Sequence, residues 1–227
     1  MKPRISVVIP LFNKTLNMRS IRQMIPPATE STEIIVIVDP EQKKNISPVS
    51  SNEQIIYVKN RGRGYNLAEG VKKAEGDIIL FLHSDTCLPT SWDTAIVRAI
   101  SNQKIVGGAF SLSFDHKNMY LEFIIIVTNL LIRLIKSFSG DRAMFIRGPV
   151  IKKNLSVLQV PIMEDAELSK LMAKTGDVVL LKEKVVTSAK SFIENGFLQQ
   201  TWAIFLCSVW YAVGRDLEKI YRYYYRK

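Results

Sequence analysis

The chain of 227 residues has only two cysteines, Cys87 and Cys207, far apart in sequence. That is neither a disulfide framework nor a zinc-ligand spacing, so a reduced, cytosolic chain is expected. Long apolar runs are also lacking. The uncharged run between Glu122 and Arg133 is 10 residues long, whereas a spanning helix needs about 20. Asn195–Gly214 has 20 uncharged residues, but Asn, Gly, Gln and Thr occupy its first third, and its apolar part, Trp202–Val213, is 12 long. A helix lying on a surface or packing against protein is expected there rather than a span. The N-terminal apolar stretch is too short for a signal peptide and reads as a first strand. No Walker pattern occurs. Gly62-Arg-Gly64 lacks the third glycine of a dinucleotide loop, because Leu67 stands there, and no acidic residue follows at the distance that would hold a ribose. There is no internal repeat and no low-complexity tract.

Basic charge is in excess, with a formal net charge of +10. Such a surface attracts nucleic acid, anionic lipid or phosphorylated ligands, unless the Lys and Arg side chains merely solvate the outside. No nucleic-acid motif appears, and the aromatics cluster at one end rather than along a groove, so nucleic acid is not the expected partner. The tail Arg215–Lys227 mixes Arg and Lys with four tyrosines and follows two tryptophans. That composition suits a membrane surface, with packing or a homodimer contact as the other readings. In Tyr120–Ser137 the residues Glu122, Asn129, Arg133 and Lys136 share one narrow helical stripe. The rest of that helix is apolar and is expected to be buried or to lie against something apolar.

Apolar runs at Ile5–Ile9, Glu33–Val38, Gln54–Val58 and Ile78–Leu82 read as buried strands. Helical spacing at Leu16–Met24 and Gly64–Glu75 separates them. Strands alternating with helices predict a parallel α/β sheet. A helix is expected over Ser91–Ser101, a half-exposed strand over Ile105–Phe114, a short strand over Met144–Arg147, a helix within Pro161–Leu171, a strand over Val178–Leu181 and helices to the C-terminus. In such sheets ligands sit beyond the carboxyl ends of the strands. Asn13-Lys14, Asp39 and His83-Ser84-Asp85 fall at those ends and should converge.

Several of these residues suit transfer chemistry. In Arg61-Gly-Arg-Gly64 the glycines permit close backbone approach and the arginines can reach phosphate, although a basic turn is an equal reading. A carboxylate at a buried strand's end, Asp85, can hold Mg2+ together with substrate phosphates. His83, two residues earlier, points to the same side if the strand continues; otherwise Asp85 simply starts a turn before Pro89. Glu164 and Asp165 open a helix, where the macrodipole favours acids, but an acid near a sugar site can also act as a general base.

The order of these motifs resembles the family 2 glycosyltransferases of GT-A fold, over residues 4 to 192. Ser6-Val-Val-Ile-Pro-Leu-Phe-Asn13 is similar to that family's opening strand. Glu33-Ile-Ile-Val-Ile-Val-Asp39 is similar to its second. Gly62-Arg-Gly64, Gly70, Ala74 and Gly76-Asp77 match the glycine spacing of its dolichol-phosphate-mannose-synthase-like members. His83-Ser-Asp-Thr86 stands at the D-x-D position and resembles the H-x-D-T variant of one bacterial branch. Pro161-Ile-Met-Glu-Asp-Ala-Glu-Leu168 and Gly140-Asp-Arg-Ala-Met-Phe-Ile-Arg147 also resemble that branch.

The resemblance implies a mostly parallel central sheet flanked by helices, with C-terminal amphipathic helices. It also implies a nucleotide-sugar-binding half (1–110) and an acceptor-binding half of the same domain (111–192); beyond the resemblance, the composition of 193–227 suggests a C-terminal membrane-surface or oligomerisation segment. The expected activity is inverting, metal-dependent transfer of a sugar from a UDP- or GDP-linked donor to an acceptor hydroxyl or lipid phosphate, at the inner face of a membrane. The roles it implies put Pro10 and Asp39 on base and ribose, and Arg63 with Gly64 near the diphosphate. Asp85 with His83 would bind Mg2+ or Mn2+, and Asp165 would be the base. Glu164, Gly140 and Asp141 would shape the acceptor side. The chain departs from the family pattern at Lys14, at Pro40-Glu-Gln42, at His83 and at Lys190-Ser-Phe192. A sugar-phosphate nucleotidyltransferase and a non-enzymatic basic binding protein are the alternative readings.

Overall fold

The computed structural model describes residues 4–11, 18–40, 48, 50–59 and 62–225. Asn13, Lys14, Glu41, Gln42 and Arg61, which carry parts of the motif reading, lie outside the described residues.

The four apolar runs become β1 (Ile5–Leu11), β2 (Thr32–Val38), β3 (Glu53–Tyr57) and β4 (Ile78–Phe81), all parallel neighbours. Their connections carry α1 (Met18–Met24) between β1 and β2, and α2 (Arg63–Lys73) between β3 and β4. Then follow β5 (Thr86–Cys87), α3 (Trp92–Ile100), β6 (Ile105–Phe114), α4 (Met119–Ile135), β7 (Phe145–Arg147), α5 (Gly148–Lys152), α6 (Glu164–Thr175) and β8 (Asp177–Thr187). Three helices close the described chain: α7 (Lys190–Asn195), α8 (Phe197–Ala212) and α9 (Leu217–Tyr225). The eight strands form one sheet in the order β3-β2-β1-β4-β7-β6-β8-β5. Antiparallel pairs occur at β4–β7, β6–β7 and β5–β8. The sequence position 110/111 falls within β6.

β1 is buried along its whole length because both faces are covered. Ile5, Val7 and Ile9 join one core layer with α1 and with Trp92 and Ile96 of α3. Val8 points the other way, into a layer with Leu67 and Val71 of α2 and Leu168 and Met172 of α6. Alternate residues of a strand face opposite sides, so a continuous apolar run is what a two-sided sheet requires. Glu33, the acid that opens the second strand motif, is buried, and its Oε1 accepts from Ser6 Oγ (2.6 Å) and from the amides of Glu75 (2.8 Å) and Gly76 (3.1 Å). That carboxylate joins β1 and β2 to the turn that launches β4.

Two expectations are corrected. Ile105–Phe114 is not half-exposed: β6 lies between β7 and β8, and helices cover both of its faces. Its polar Ser111 is satisfied by donating to the Leu181 carbonyl (2.6 Å). The strand expected to stop at Leu181 continues to Thr187, because a bulge moves the pairing from Phe110↔Leu181 to Ser111↔Lys184 and takes Lys182 and Glu183 out of register. Of the two readings of α4, burial or lying against something apolar, burial within the described chain does not hold. Only Leu121 and Ile132 are buried, while Met119, Phe123, Ile126, Leu130 and Leu134 are exposed.

Candidate functional site

At the carboxyl end of β4 the strand ends at Phe81, and a turn closed by Thr86 N–H donating to the His83 carbonyl (3.2 Å) follows. The strand therefore does not continue through residues 83–85, and the same-side argument for His83 and Asp85 does not apply. His83 turns toward Arg63, whereas Asp85 sits at the tip of the turn near Asp141.

Arg63 is the first residue of α2 and gathers three segments. Its Nε donates to Glu164 Oε1, its Nη1 to His83 Nε2 (2.8 Å), and its Nη2 lies 3.8 Å from Asp165 Oδ2. A guanidinium has no acceptor, so His83 Nε2 must accept and the ring proton sits on Nδ1. In this arrangement His83 has no lone pair left for a metal. Burial, and then the Arg63 charge, hold the imidazole well below its ordinary range, so it is neutral. Burial by itself would lower Arg63, but the Glu164 and Asp165 carboxylates outweigh it and keep the guanidinium above its ordinary value. Burial and the Asp165 charge push Glu164 up, with Arg63 opposing.

Asp165 is the second residue of α6. Its Oδ2 accepts from Gly140 N–H (2.9 Å) and its Oδ1 from Ala166 N–H (2.8 Å). The side chain keeps 21% of its surface exposed, against 4% for Glu164. Gly140 opens a 3-10 turn (Gly140–Arg142), and a Cβ there would lie 2.7 Å from His83 Nε2 and 2.9 Å from Arg63 Nη2. Any larger residue there would have to displace the His83 and Arg63 side-chain ends. Arg63, His83, Gly140, Glu164 and Asp165 line one small cavity whose apolar wall is Leu67, Phe81, Met144, Leu158 and Leu168. Asp85 is raised by burial and then by the Asp141 charge. Ser139 Oγ donates to Asp141 Oδ1 (2.5 Å).

Pro10 and Asp39 do not line this cavity. Pro10 is buried in β1 opposite Ile37, and Asp39 follows β2. Gly64 has a packing role of its own: a Cβ there would meet the Leu158 carbonyl oxygen at 2.0 Å. Among the described residues, no group of three or more His, Cys, Asp or Glu side chains gathers to hold a metal.

The sequence left the tyrosine-rich tail open between a membrane surface and packing or an oligomer contact. In the structure Tyr221, Tyr223 and Tyr224 pack with Ile162 and Met163, directly before the Glu164-Asp165 pair. Tyr224 and Tyr225, both raised by burial, lie within the field of Arg63. Tyr211 of α8 donates to Glu167, and Lys170 Nζ sits 4.2 Å from the Tyr211 ring centre. The signal was the spacing of Ile220, Tyr221, Tyr224 and Tyr225, which shares one helix face. Arg142 was also missed. It is 1% exposed, and donates to Asn129 Oδ1 (2.6 Å) and Thr128 Oγ1 (3.0 Å) of α4.

A family model described as Glycosyl transferase family 2 matches residues 6–150. No curated protein matches the chain in sequence. Among solved structures, that of S. aureus TarS 1-349 has a TM-score of 0.58 at 16% identity, covering 97% of this chain and 70% of that one. TarS 1-349 in complex with UDP-GlcNAc has a TM-score of 0.57 at 15% identity, covering 82% and 58%. The complex with UDP has a TM-score of 0.58 at 17% identity, covering 84% and 62%. The chain thus spans less than two thirds of the two ligand-bound TarS chains. At these identities the likeness is one of fold: a central sheet flanked by helices, as in GT-A glycosyltransferases.

Proposed function

We propose a reaction from one premise: the chain belongs to glycosyl transferase family 2. It moves a sugar from a nucleotide diphosphate donor to an acceptor hydroxyl, or to a lipid phosphate, with inversion at the sugar carbon. Within the family it falls in the branch with His83-Ser-Asp-Thr86 at the metal motif. The observation that carries the reading is the meeting of Arg63, His83 and the Glu164-Asp165 pair in one cavity beyond β4. Ligands in open α/β sheets occupy that end. The UDP and UDP-GlcNAc held by the TarS structures support a UDP-linked donor, with GDP the second choice.

An acceptor hydroxyl gives its proton to the Asp165 carboxylate as its oxygen attacks the anomeric carbon. The bond from that carbon to the diphosphate oxygen breaks, and the nucleoside diphosphate leaves. Asp165 suits the role because the Gly140 and Ala166 amides fix it while part of it stays open, and a base must be placed before its basicity matters. Arg63, itself held by the neutral His83, fixes Glu164 beside it. Asp39 would meet the ribose and Pro10 the base. Glu164, Gly140 and Asp141 would bound the acceptor side.

A divalent ion, Mg2+ or Mn2+, fits at Asp85. Burial and the repulsion of Asp141 both raise this carboxyl, and a cation relieves both effects. Asp85 would hold the ion, leaving its other positions to phosphate oxygens. When bound, the ion neutralises charge building on the leaving diphosphate.

Thermal shift with UDP, GDP and dTDP, with and without Mn2+, tests the donor, because a ligand stabilises only the state that binds it. Stabilisation by a nucleoside diphosphate is expected. Release of pyrophosphate from a nucleoside triphosphate and a sugar phosphate would contradict the reading and favour a nucleotidyltransferase.

A further inference from the structure

Two exposed apolar stripes run along α4 and α8. Met119, Phe123, Ile126, Leu130 and Leu134 follow each other at intervals of three and four, which is one face of α4. Met119 is 88% exposed and Leu134 73%. Leu198, Trp202, Phe205, Val209 and Val213 repeat the same intervals along α8 and just past its end, with Leu198 75% and Trp202 60% exposed. The helices meet where the Tyr120 and Phe197 rings contact (5.9 Å) and Tyr120 O–H donates to Thr201 Oγ1 (3.0 Å). Contiguous apolar surface of this kind marks an interaction site. No helix among the described residues is long and apolar enough to cross a membrane.

We propose that these two stripes dock on the surface of an anionic lipid bilayer. Charge selects the occupant. Lys117, Arg133 and Lys136 flank the α4 stripe with Glu122 as its one neighbouring acid on the helix. α8 itself carries no charge, and at its ends Lys190 pairs with Glu194 (3.6 Å) and Arg215 is followed by Asp216, so the basic margin is that of α4. With a net charge of +10, a twofold contact through this face would bring each basic margin against its own copy. Anionic headgroups complement the same margin. Trp202, beside Phe205 (5.7 Å between rings), is of the type that settles at headgroup depth. Arg142 joins the inner side of α4 to the turn whose Gly140 amide holds Asp165. Docking therefore sets the candidate base close to the bilayer, where a lipid-linked acceptor presents its head.

The test is flotation of the full chain with phosphatidylcholine vesicles, with and without phosphatidylglycerol, alongside tryptophan fluorescence. Binding to the anionic vesicles and a blue shift are expected. Leu130→Glu/Leu134→Glu, both at exposed positions, should weaken binding at least about tenfold. Its circular dichroism and its thermal shift with UDP should match wild type, so that a failed donor reading is told apart from a failed docking reading. Arg133→Glu/Lys136→Glu, outside the apolar stripe, should lose about fivefold or more, and high salt should mimic it. No flotation with anionic vesicles, or equal flotation of wild type and both variants, would overturn the proposal. So would light scattering that shows a dimer which the leucine variant splits.

Discussion

Arg63 holds the candidate site together, and its neighbours set what a substitution there does. Glu164 is 4% exposed and depends on that guanidinium. Arg63→Met leaves a buried carboxylate without its partner, and should lower unfolding free energy by about 3 kcal/mol in urea titration. Arg63→Met with Glu164→Gln should recover much of that loss, because the stranded charge is gone. Asp165 should behave differently, since it is partly exposed and held by amides. Asp165→Asn should melt close to wild type, bind nucleoside diphosphate equally, and lose about 100-fold or more in turnover. The residue types of this cluster could be read from the sequence, but their contacts could not. His83 and Asp85 stood two apart on an apparent strand. The turn that separates them depends on where β4 stops pairing, and that is a property of the sheet.

Elements show the same division between local pattern and tertiary pairing. The parallel strands β1, β2 and β4 were legible because apolar runs of their length suit strands covered on both sides; β3, also read as buried, is instead the edge strand of the sheet, half-buried with Tyr57 exposed. β6 was legible as a strand but not as a buried one, since Ser111 reads as an outward residue until the Leu181 carbonyl accepts its hydroxyl. The bulge at Lys182-Glu183 hid the second half of β8. The start of α2 is limited by steric fit. Gly64→Ala would place a Cβ against the Leu158 carbonyl, and should cost about 2 kcal/mol through forced backbone movement. The start of α3 depends on charge instead. Asp93 accepts from Thr29 N–H (2.5 Å), Thr29 Oγ1 (2.8 Å) and Glu30 N–H (2.9 Å). Burial alone would raise its pKa, but these donors prevail and hold it below its ordinary 3.8. A depressed carboxyl stabilises the fold above its unfolded pKa, and that stability is lost as pH falls through the folded value. Asp93→Asn should therefore be less stable than wild type at pH 7 by about 1.5 kcal/mol. The gap should close as melts are repeated at pH values falling below 3.8.

The whole molecule joins an eight-stranded sheet to a C-terminal helical layer, and the sequence did not show how these meet. Composition left the tyrosine tail open between a membrane surface and packing, and the structure turns Tyr221, Tyr223 and Tyr224 onto the segment before Asp165. The apolar faces left outside belong to α4 and α8. Net charge and aromatic content are sums over the chain, so they could not say which face carries them. The central claim is that Asp165 and Asp85 serve transfer from a nucleotide sugar. It is tested most directly by nucleoside diphosphate released from UDP- and GDP-sugars with Mn2+, compared among wild type, Asp165→Asn and Asp85→Ala. The account predicts release by wild type and loss in both variants, with the folds intact by thermal melt. Wild-type turnover in both variants, or no release from either donor class by the wild-type chain, would contradict it.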